Sequence, residues 1–309
     1  MALLFRSTVD SGPRWQAELA RLTPGVEVRI WPEVGDPADI EYALVWRPEP
    51  GLLAALPNLR LILSLGAGVD HILCDPQLPR DLPIVRLVDP YLRDAMSEYV
   101  LLQVLRLHRR DLDYQAQQQA QIWRELPQKN AGERPVGILG FGEIGQDAGR
   151  KLAALGFPIS AWSRRPRTDA AFPVFAGEDG LPQLLAASEI LVCLLPLTAQ
   201  TEGILCERTF RGLPQGAGLV NAGRGGHLVE DDLIPALDRG QLCAAALDVF
   251  RDEPLPPGHP FWHHPRILVT PHVAGITNPR TAAPVVLDNI LRFEAGRPLL
   301  NRIDTEAGY

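Results

Sequence analysis

Apolar residues in this chain come in short β-rich runs, each closed by Gly, Pro or charge, with helical spacing between them. In the first ninety or so positions the runs are ALLFRS, VEVRIW, YALVW, LRLILSL and LPIVRLV, and RWQAELARL and PGLLAAL have the spacing of helices. Strands alternating with helices predict a parallel sheet covered on both faces. From Asp94 to Trp123 the pattern predicts one long helix, with Tyr99, Leu102, Leu105, Leu112 and Ile122 among its apolar positions and no Pro or Gly inside. Its tail, QAQQQAQ, reads equally as an arm over a partner subunit or as a solvated helix end.

LPQKNAGERP breaks that helix, and a more regular series starts at Pro135: VGILG, a helix, PISAW, FPVFA, LPQLLAAS and EILVCLLP. It continues through AGLVNAG, VEDDLIPALDRG, CAAALDVF and RILVTPH, and PRTAAPVVLDNILRFEAGRPL forms a closing helix and tail. No repeat of solenoid length is present. The expected class is α/β, with two doubly wound parallel-sheet domains and a cleft between them.

Composition narrows the partners. With 309 residues, 46% hydrophobic and 22% charged, the chain has the make-up of a soluble globular protein. Thirty basic against thirty-seven acidic side chains give a net charge of -7, which offers no global attraction to nucleic acid or an anionic membrane and favours a small-molecule partner. EILVCLLPL falls short of the roughly 18 residues of a membrane helix, and MALLFRS is too brief for a signal-peptide core, so the expected location is cytoplasmic. Cys74, Cys193, Cys206 and Cys243 are scattered without a C-x-x-C, which points to reduced thiols rather than disulfides or a metal. His259 and His263 have metal-like spacing, but no further ligand set surrounds them or His264, so no metal is expected.

Gly140, Gly142 and Gly145, interleaved with Phe141, Glu143 and Ile144, form G-x-G-x-x-G between an expected strand and an expected helix. Glycine permits the tight turn and lets a pyrophosphate approach backbone N-H groups at a helix N-terminus. About 20 residues on, such a unit usually ends its second strand on an acid that holds a ribose 2'-hydroxyl. Here AWSRRPR puts Ser163, Arg164 and Arg165 there. Guanidinium forks match a 2'-phosphate, which favours NADP, with NADPH preferred over NADH. A solvated basic turn before Pro166 is the competing reading, and Arg167 either joins the cradle or faces solvent.

LVNAGRGGHL, LDVFRDEPLP and LVTPHVAG set Arg224, Glu253 and His272 at the ends of apolar strands, where ligands meet an open parallel sheet. An arginine can pin a carboxylate, and a histidine beside a carboxylate can carry a proton near neutral pH.

GILGFGEIG, LLPLTAQTEGIL, LVNAGRGGHLVEDDL, LDVFRDEPLP and HPFWHHPRILVTPHVAG, in this order, resemble the D-isomer-specific 2-hydroxyacid dehydrogenase family. YALVWRP, LSLGAGVDHIL, AWSRRPR and the closing AGY are most similar to its glyoxylate/hydroxypyruvate reductase A branch. The resemblance implies a flavodoxin-like substrate-binding domain, residues 1–97 with 276–309, and a Rossmann dinucleotide-binding domain, residues 98–275. It implies NADPH-dependent reduction of small 2-oxoacids, glyoxylate to glycolate and hydroxypyruvate to D-glycerate, by a homodimer using the 94–123 helix. Arg224 would bind the substrate carboxylate and carbonyl, His272 would donate the proton, and Glu253 would orient His272 and favour its charged form. Leu195, Pro196, Ala222, Gly223, Asp248 and Gly275 would line the cofactor groove. Gly66, Ala67, Gly68 and Val69 would surround the substrate carboxylate as an anion nest, and Trp46 would wall the pocket. Competing readings make Asp248 a turn cap, Trp46 a core residue and the glycines only a turn. Other substrates within the family, or a nucleotide-sensing relative without turnover, are the alternatives. No room is expected after residue 275 for the regulatory domain of phosphoglycerate dehydrogenases.

Overall fold

The computed structural model describes residues 2–167 and 171–305, so the AGY ending lies outside the described residues. The chain divides into two compact units, Met1–Leu92 with Ile276–Tyr309, and Arg93–Gly275.

The first unit holds strands β1 (Ala2–Arg6), β2 (Glu27–Ile30), β3 (Ile40–Val45), β4 (Leu61–Ser64) and β5 (Ile84–Val85). They form a sheet of order β2-β1-β3-β4-β5, parallel throughout, which is the flavodoxin-like order. The period-two alternation of a strand sorts its side chains between two cores. Leu3, Phe5, Tyr42 and Leu44 face Trp15, Leu19 and the closing helix Pro279–Glu294, while Leu4, Ala43 and Val45 face Leu52, Leu53 and Ile72. PGLLAAL is not a helix. Gly51, at a φ of 80°, starts a single turn closed by Ala55 N-H on the Gly51 carbonyl at 3.1 Å, and Pro57 follows at once. The left-handed Gly51 and Pro57 confine the segment to one turn, which still buries Leu52, Leu53 and Leu56.

The second unit holds β6 (Val136–Leu139), β7 (Ile159–Ser163), β8 (Val174–Ala176), β9 (Ile190–Cys193), β10 (Ala217–Asn221), β11 (Leu242–Leu247) and β12 (Ile267–Val269). Their order, β12-β11-β10-β9-β6-β7-β8, is the Rossmann order extended by one parallel strand. Strands β6, β9 and β10 are buried along their whole length, between one core containing Leu191, Leu219 and Phe210 and another containing Ile138, Val192 and Val220. Burial pushes the Cys193 thiol up to about 12, which makes it inert at neutral pH. All four cysteines are free, and among the described residues no helix is long and apolar enough to cross a membrane.

Two expectations need correction here. The first boundary falls after Leu92, not after residue 97, because residues 93–97 are tied into the second unit. Ser97 Oγ donates to Asp147 at 2.7 Å, and Asp94 pairs with Lys151 at 3.0 Å. The long helix is also two: Pro90–His108, then Asp111–Gln119, with Arg110 left-handed at a φ of 59° between them. Charge holds the break. Arg106 pairs with Asp111 at 2.7 Å, Arg110 pairs with Asp113 at 2.9 Å, and the second helix starts on acids that its N-terminal dipole favours. Leu102, Leu105, Tyr114 and Ile122 are exposed, and Trp123 is fully so at 101%.

Asp147 itself is buried, and burial alone would raise its pKa. Hydrogen bonds from Lys151, Ser97 and Arg150 outweigh that and hold it at about 2, below the ordinary 3.8. A depressed carboxylate stabilises the fold above its unfolded-state pKa and stops doing so as pH falls through the folded one. Asp147→Asn is therefore expected to cost roughly 2 kcal/mol at pH 7, with the gap from the parent closing between pH ~4 and ~2. Denaturant unfolding of both proteins across that range reads it; a gap independent of pH would contradict the assignment.

Candidate active site

In the second unit, the polar residues singled out above hang from the carboxyl ends of parallel strands. The turn after β6 contains the three glycines, and they differ in why they are there. A Cβ on Gly140, whose φ is 101°, would lie 2.7 Å from the Leu194 carbonyl oxygen, and one on Gly145 would lie 2.0 Å from the Gly140 oxygen. Those two are required by the chain's own packing. A Cβ on Gly142 would meet nothing within 4 Å, yet this residue caps the helix Glu143–Ala154. Its open backbone suits close approach by an anionic group to the helix N-terminus, so the loop fits a dinucleotide pyrophosphate. Phe141 is buried beneath the loop, while Glu143 and Ile144 lie in the first helical turn.

β7 ends at Ser163, whose hydroxyl donates to the Arg165 carbonyl at 2.6 Å. That bond shapes the turn, and Arg164 and Arg165 are both exposed. Leu195 and Pro196 follow β9; Leu195 is buried, and the Pro196 carbonyl accepts from Thr201 Oγ1 at 2.7 Å.

Arg224, with Ala222 and Gly223 just before it, follows β10, Asp248 and Glu253 follow β11, and His272 follows β12. These three strands are neighbours in the sheet. Glu253 and His272 are in contact: Glu253 Oε2 lies 2.8 Å from His272 Nδ1, and Oε1 accepts the Phe250 N-H at 3.1 Å. The carboxylate is thus held at both oxygens and in turn orients the ring. His272 has a φ of 54°, the left-handed region that a side chain enters only when its surroundings impose it.

Asp248 imposes it. Its backbone carbonyl accepts the His272 N-H at 2.8 Å, its Oδ1 accepts from Thr270 Oγ1 at 2.6 Å and from the Val273 N-H at 2.9 Å, and its Oδ2 accepts the Ala274 N-H at 2.8 Å. Because the Thr270 hydroxyl donates to Asp248, it accepts from Tyr99 Oη at 2.8 Å. Burial pushes the Tyr99 phenol up, so it stays a donor. Asp248 thus caps the 270–274 turn, which ends at Gly275, the last residue of the unit. Thr270 was not singled out from sequence, Tyr99 was read only as an apolar helix position, and His227, fully buried beneath Arg224, was not singled out either.

In the first unit, Trp46 follows β3 and the Gly66–Val69 turn follows β4. A Cβ on Gly66 would lie 2.7 Å from the Trp46 ring, so this glycine lets the indole seat on the turn. Ser64 Oγ accepts the Gly66 N-H at 3.3 Å and donates to the Gly68 carbonyl at 3.0 Å, bracing Ala67 between them. The Trp46 ring also packs against His71, with ring centroids 4.2 Å apart. Among the described residues no group of three or more His, Cys, Asp or Glu side chains could hold a metal ion.

Residues 101–274 match the family described as D-isomer specific 2-hydroxyacid dehydrogenase, NAD binding domain. Glyoxylate/hydroxypyruvate reductase A of Serratia proteamaculans is 43% identical over 314 residues, covering 100% of both chains. Among solved structures, a D-isomer specific 2-hydroxyacid dehydrogenase from Xanthobacter autotrophicus Py2 in complex with NADPH and MES is 43% identical, with a TM-score of 0.95 over 100% of this chain and 99% of that one. The NADPH-dependent glyoxylate/hydroxypyruvate reductase of Sinorhizobium meliloti in complex with NADP and sulfate is 41% identical, with a TM-score of 0.91 over 100% and 99%.

The left-handed backbone at His272 carries a stability prediction. Glycine adopts that conformation without strain and alanine does not, so His272→Gly is expected to be more stable than His272→Ala by about 1 kcal/mol. Equilibrium unfolding of the two variants measures the difference; an alanine variant as stable as the glycine one would show that no strain is held there.

Proposed function

Since the chain belongs to the D-isomer specific 2-hydroxyacid dehydrogenase family, we propose that it reduces small 2-oxoacids to 2-hydroxyacids with NADPH, glyoxylate and hydroxypyruvate being the substrates. The observation that carries this reading is the His272–Glu253 pair, 2.8 Å apart at the ends of strands next to the one that ends before Arg224. A carboxylate at Nδ1 fixes the ring and leaves Nε2 to deliver a proton.

In this reading Arg224 binds the carboxylate and carbonyl oxygen of the oxoacid, its Nη1 steadied by the Gly223 carbonyl at 2.8 Å. Its fixed charge holds the substrate and draws electron density toward the carbonyl oxygen. His272 Nε2 gives its proton to the carbonyl oxygen as the carbonyl carbon is reduced, and Glu253 holds the ring in place meanwhile. NADPH, when bound, supplies the hydride. Gly140, Gly142 and Gly145 with the helix start at Glu143 hold its pyrophosphate, Leu195, Pro196, Ala222, Gly223 and Gly275 line its groove, and Arg164 and Arg165 take the 2'-phosphate. Asp248 serves chiefly by holding the 270–274 turn; three accepted hydrogen bonds leave its carboxylate one acceptor position for the nicotinamide amide.

The protein is read as a cytoplasmic homodimer, in keeping with its four free thiols. Exposed Leu102, Leu105, Tyr114, Ile122 and Trp123, on and just after the two helices, support a second copy as the partner that covers them.

The test is turnover with both cofactors. With glyoxylate or hydroxypyruvate, kcat/KM is expected to be higher for NADPH than for NADH. The Arg164→Ala, Arg165→Ala double variant is expected to raise KM for NADPH about tenfold or more while leaving NADH nearly unchanged. Faster use of NADH by the unmodified protein, or equal losses with both cofactors, would remove the arginines from cofactor selection.

A further inference from the structure

Arg224 acts through its guanidinium, so something must fix the backbone from which that side chain extends. β10 ends at the fully buried Asn221, and the turn Ala222–His227 that follows is packed very closely. A Cβ on Gly225 would lie 1.8 Å from the Phe250 carbonyl carbon, and one on Gly223 would lie 2.9 Å from His227 Nδ1 and 3.1 Å from the Leu195 carbonyl oxygen. Close packing confines the turn but gives no directional hold.

His227 gives direction. Its side chain is fully buried, its Nδ1 accepts the backbone N-H of Arg224 at 3.0 Å, and its Nε2 lies 3.2 Å from the Pro196 carbonyl oxygen. On the other side, the Arg224 carbonyl accepts from Asn221 Nδ2 at 3.1 Å. Both backbone groups of Arg224 are thereby fixed. Because Nδ1 accepts, the ring hydrogen sits on Nε2 and is donated to Pro196, so one neutral tautomer makes both bonds. A second proton would sit on Nδ1 against the Arg224 N-H and break the first bond. The backbone of His227 reinforces the link, since its N-H donates to the Arg224 carbonyl at 3.2 Å.

We propose that His227 is a positioning residue that ties the backbone of Arg224 to the Leu195–Pro196 segment, so that one neutral imidazole sets both the substrate-binding guanidinium and the edge of the cofactor groove. The proposal rests on the functional reading above, in which Arg224 meets the oxoacid and Pro196 meets the cofactor.

Two amide variants separate the two bonds. Asparagine puts an oxygen where Nδ1 stands but is too short for Pro196, and glutamine reaches Pro196 with a donor but has no acceptor for the Arg224 N-H. His227→Asn is expected to raise the NADPH Kd, read by fluorescence titration, about tenfold while kcat and the oxoacid KM at saturating NADPH stay within about threefold. His227→Gln is expected to do the reverse, keeping the NADPH Kd and losing about tenfold in kcat/KM for the oxoacid. Parallel losses in both variants would mean that the ring only supports the fold, and would overturn the proposal. Should either variant fail to fold, the ¹⁵N histidine spectrum of the unmodified protein decides. A neutral ring protonated at Nε2 whose signals shift when NADPH is added supports the link; a proton on Nδ1, or signals indifferent to NADPH, refutes it. Turnover of the unmodified protein tests the functional reading separately, because binding of NADPH without reduction of any 2-oxoacid would defeat that reading while leaving the spectrum and the Kd values to judge His227.

Discussion

A strand buried on both faces has no room for polar side chains along its length, and this constraint organises the second unit. β6, β9 and β10 are buried from end to end, so chemistry can enter only where the chain leaves the sheet. Because all seven strands are parallel, those exits lie along one edge, and the sheet order decides which of them are neighbours. The glycine turn, the arginine-bearing turn and the Leu195–Pro196 segment follow strands on one side of the order; Arg224, Glu253 and His272 follow three adjacent strands on the other.

What holds those exits in place is a small number of buried acceptors, each loaded with donors. Asp248 binds the 270–274 turn through both carboxylate oxygens and its carbonyl, and it forces His272 into a backbone conformation that histidine would not otherwise adopt. Glu253 controls the ring. The two acids divide the work, one fixing backbone and the other side chain, and neither could do both because the backbone and Nδ1 of His272 are separate targets. Tyr99 and Thr270 extend the first of these contacts back to the helix Pro90–His108.

Each of the twelve apolar runs in the sequence is a strand among the described residues, because side chains that pack into a parallel sheet leave a local apolar signal. The breaks were less legible. Nothing at Arg110 resembles a helix breaker, and the interruption depends on ion pairs of Arg106 with Asp111 and of Arg110 and the distant Arg266 with Asp113, which composition does not reveal. PGLLAAL has helical spacing and buries its leucines, but it is one turn long. The unit boundary shifted from residue 97 to 92 because Asp94 and Ser97 bond to Lys151 and Asp147, far away in sequence. At the site, Arg224, Glu253 and His272 were legible as polar residues after apolar runs. Thr270, Tyr99 and His227 were not, since a buried hydroxyl or imidazole that completes a hydrogen-bond chain leaves no periodic trace. A buried histidine directly after an R-G-G turn is a signal only once the tight packing of that turn is known.

The central claim is that the Glu253–His272 pair supplies the proton for reduction of a 2-oxoacid. The kcat of oxoacid reduction at saturating NADPH, in His272→Gln and in Glu253→Gln against the unmodified protein, tests it most directly. The expected result is a loss of at least ~100-fold in His272→Gln and a smaller loss in Glu253→Gln, with the NADPH Kd unchanged in both. A kcat in His272→Gln close to that of the unmodified protein would contradict it.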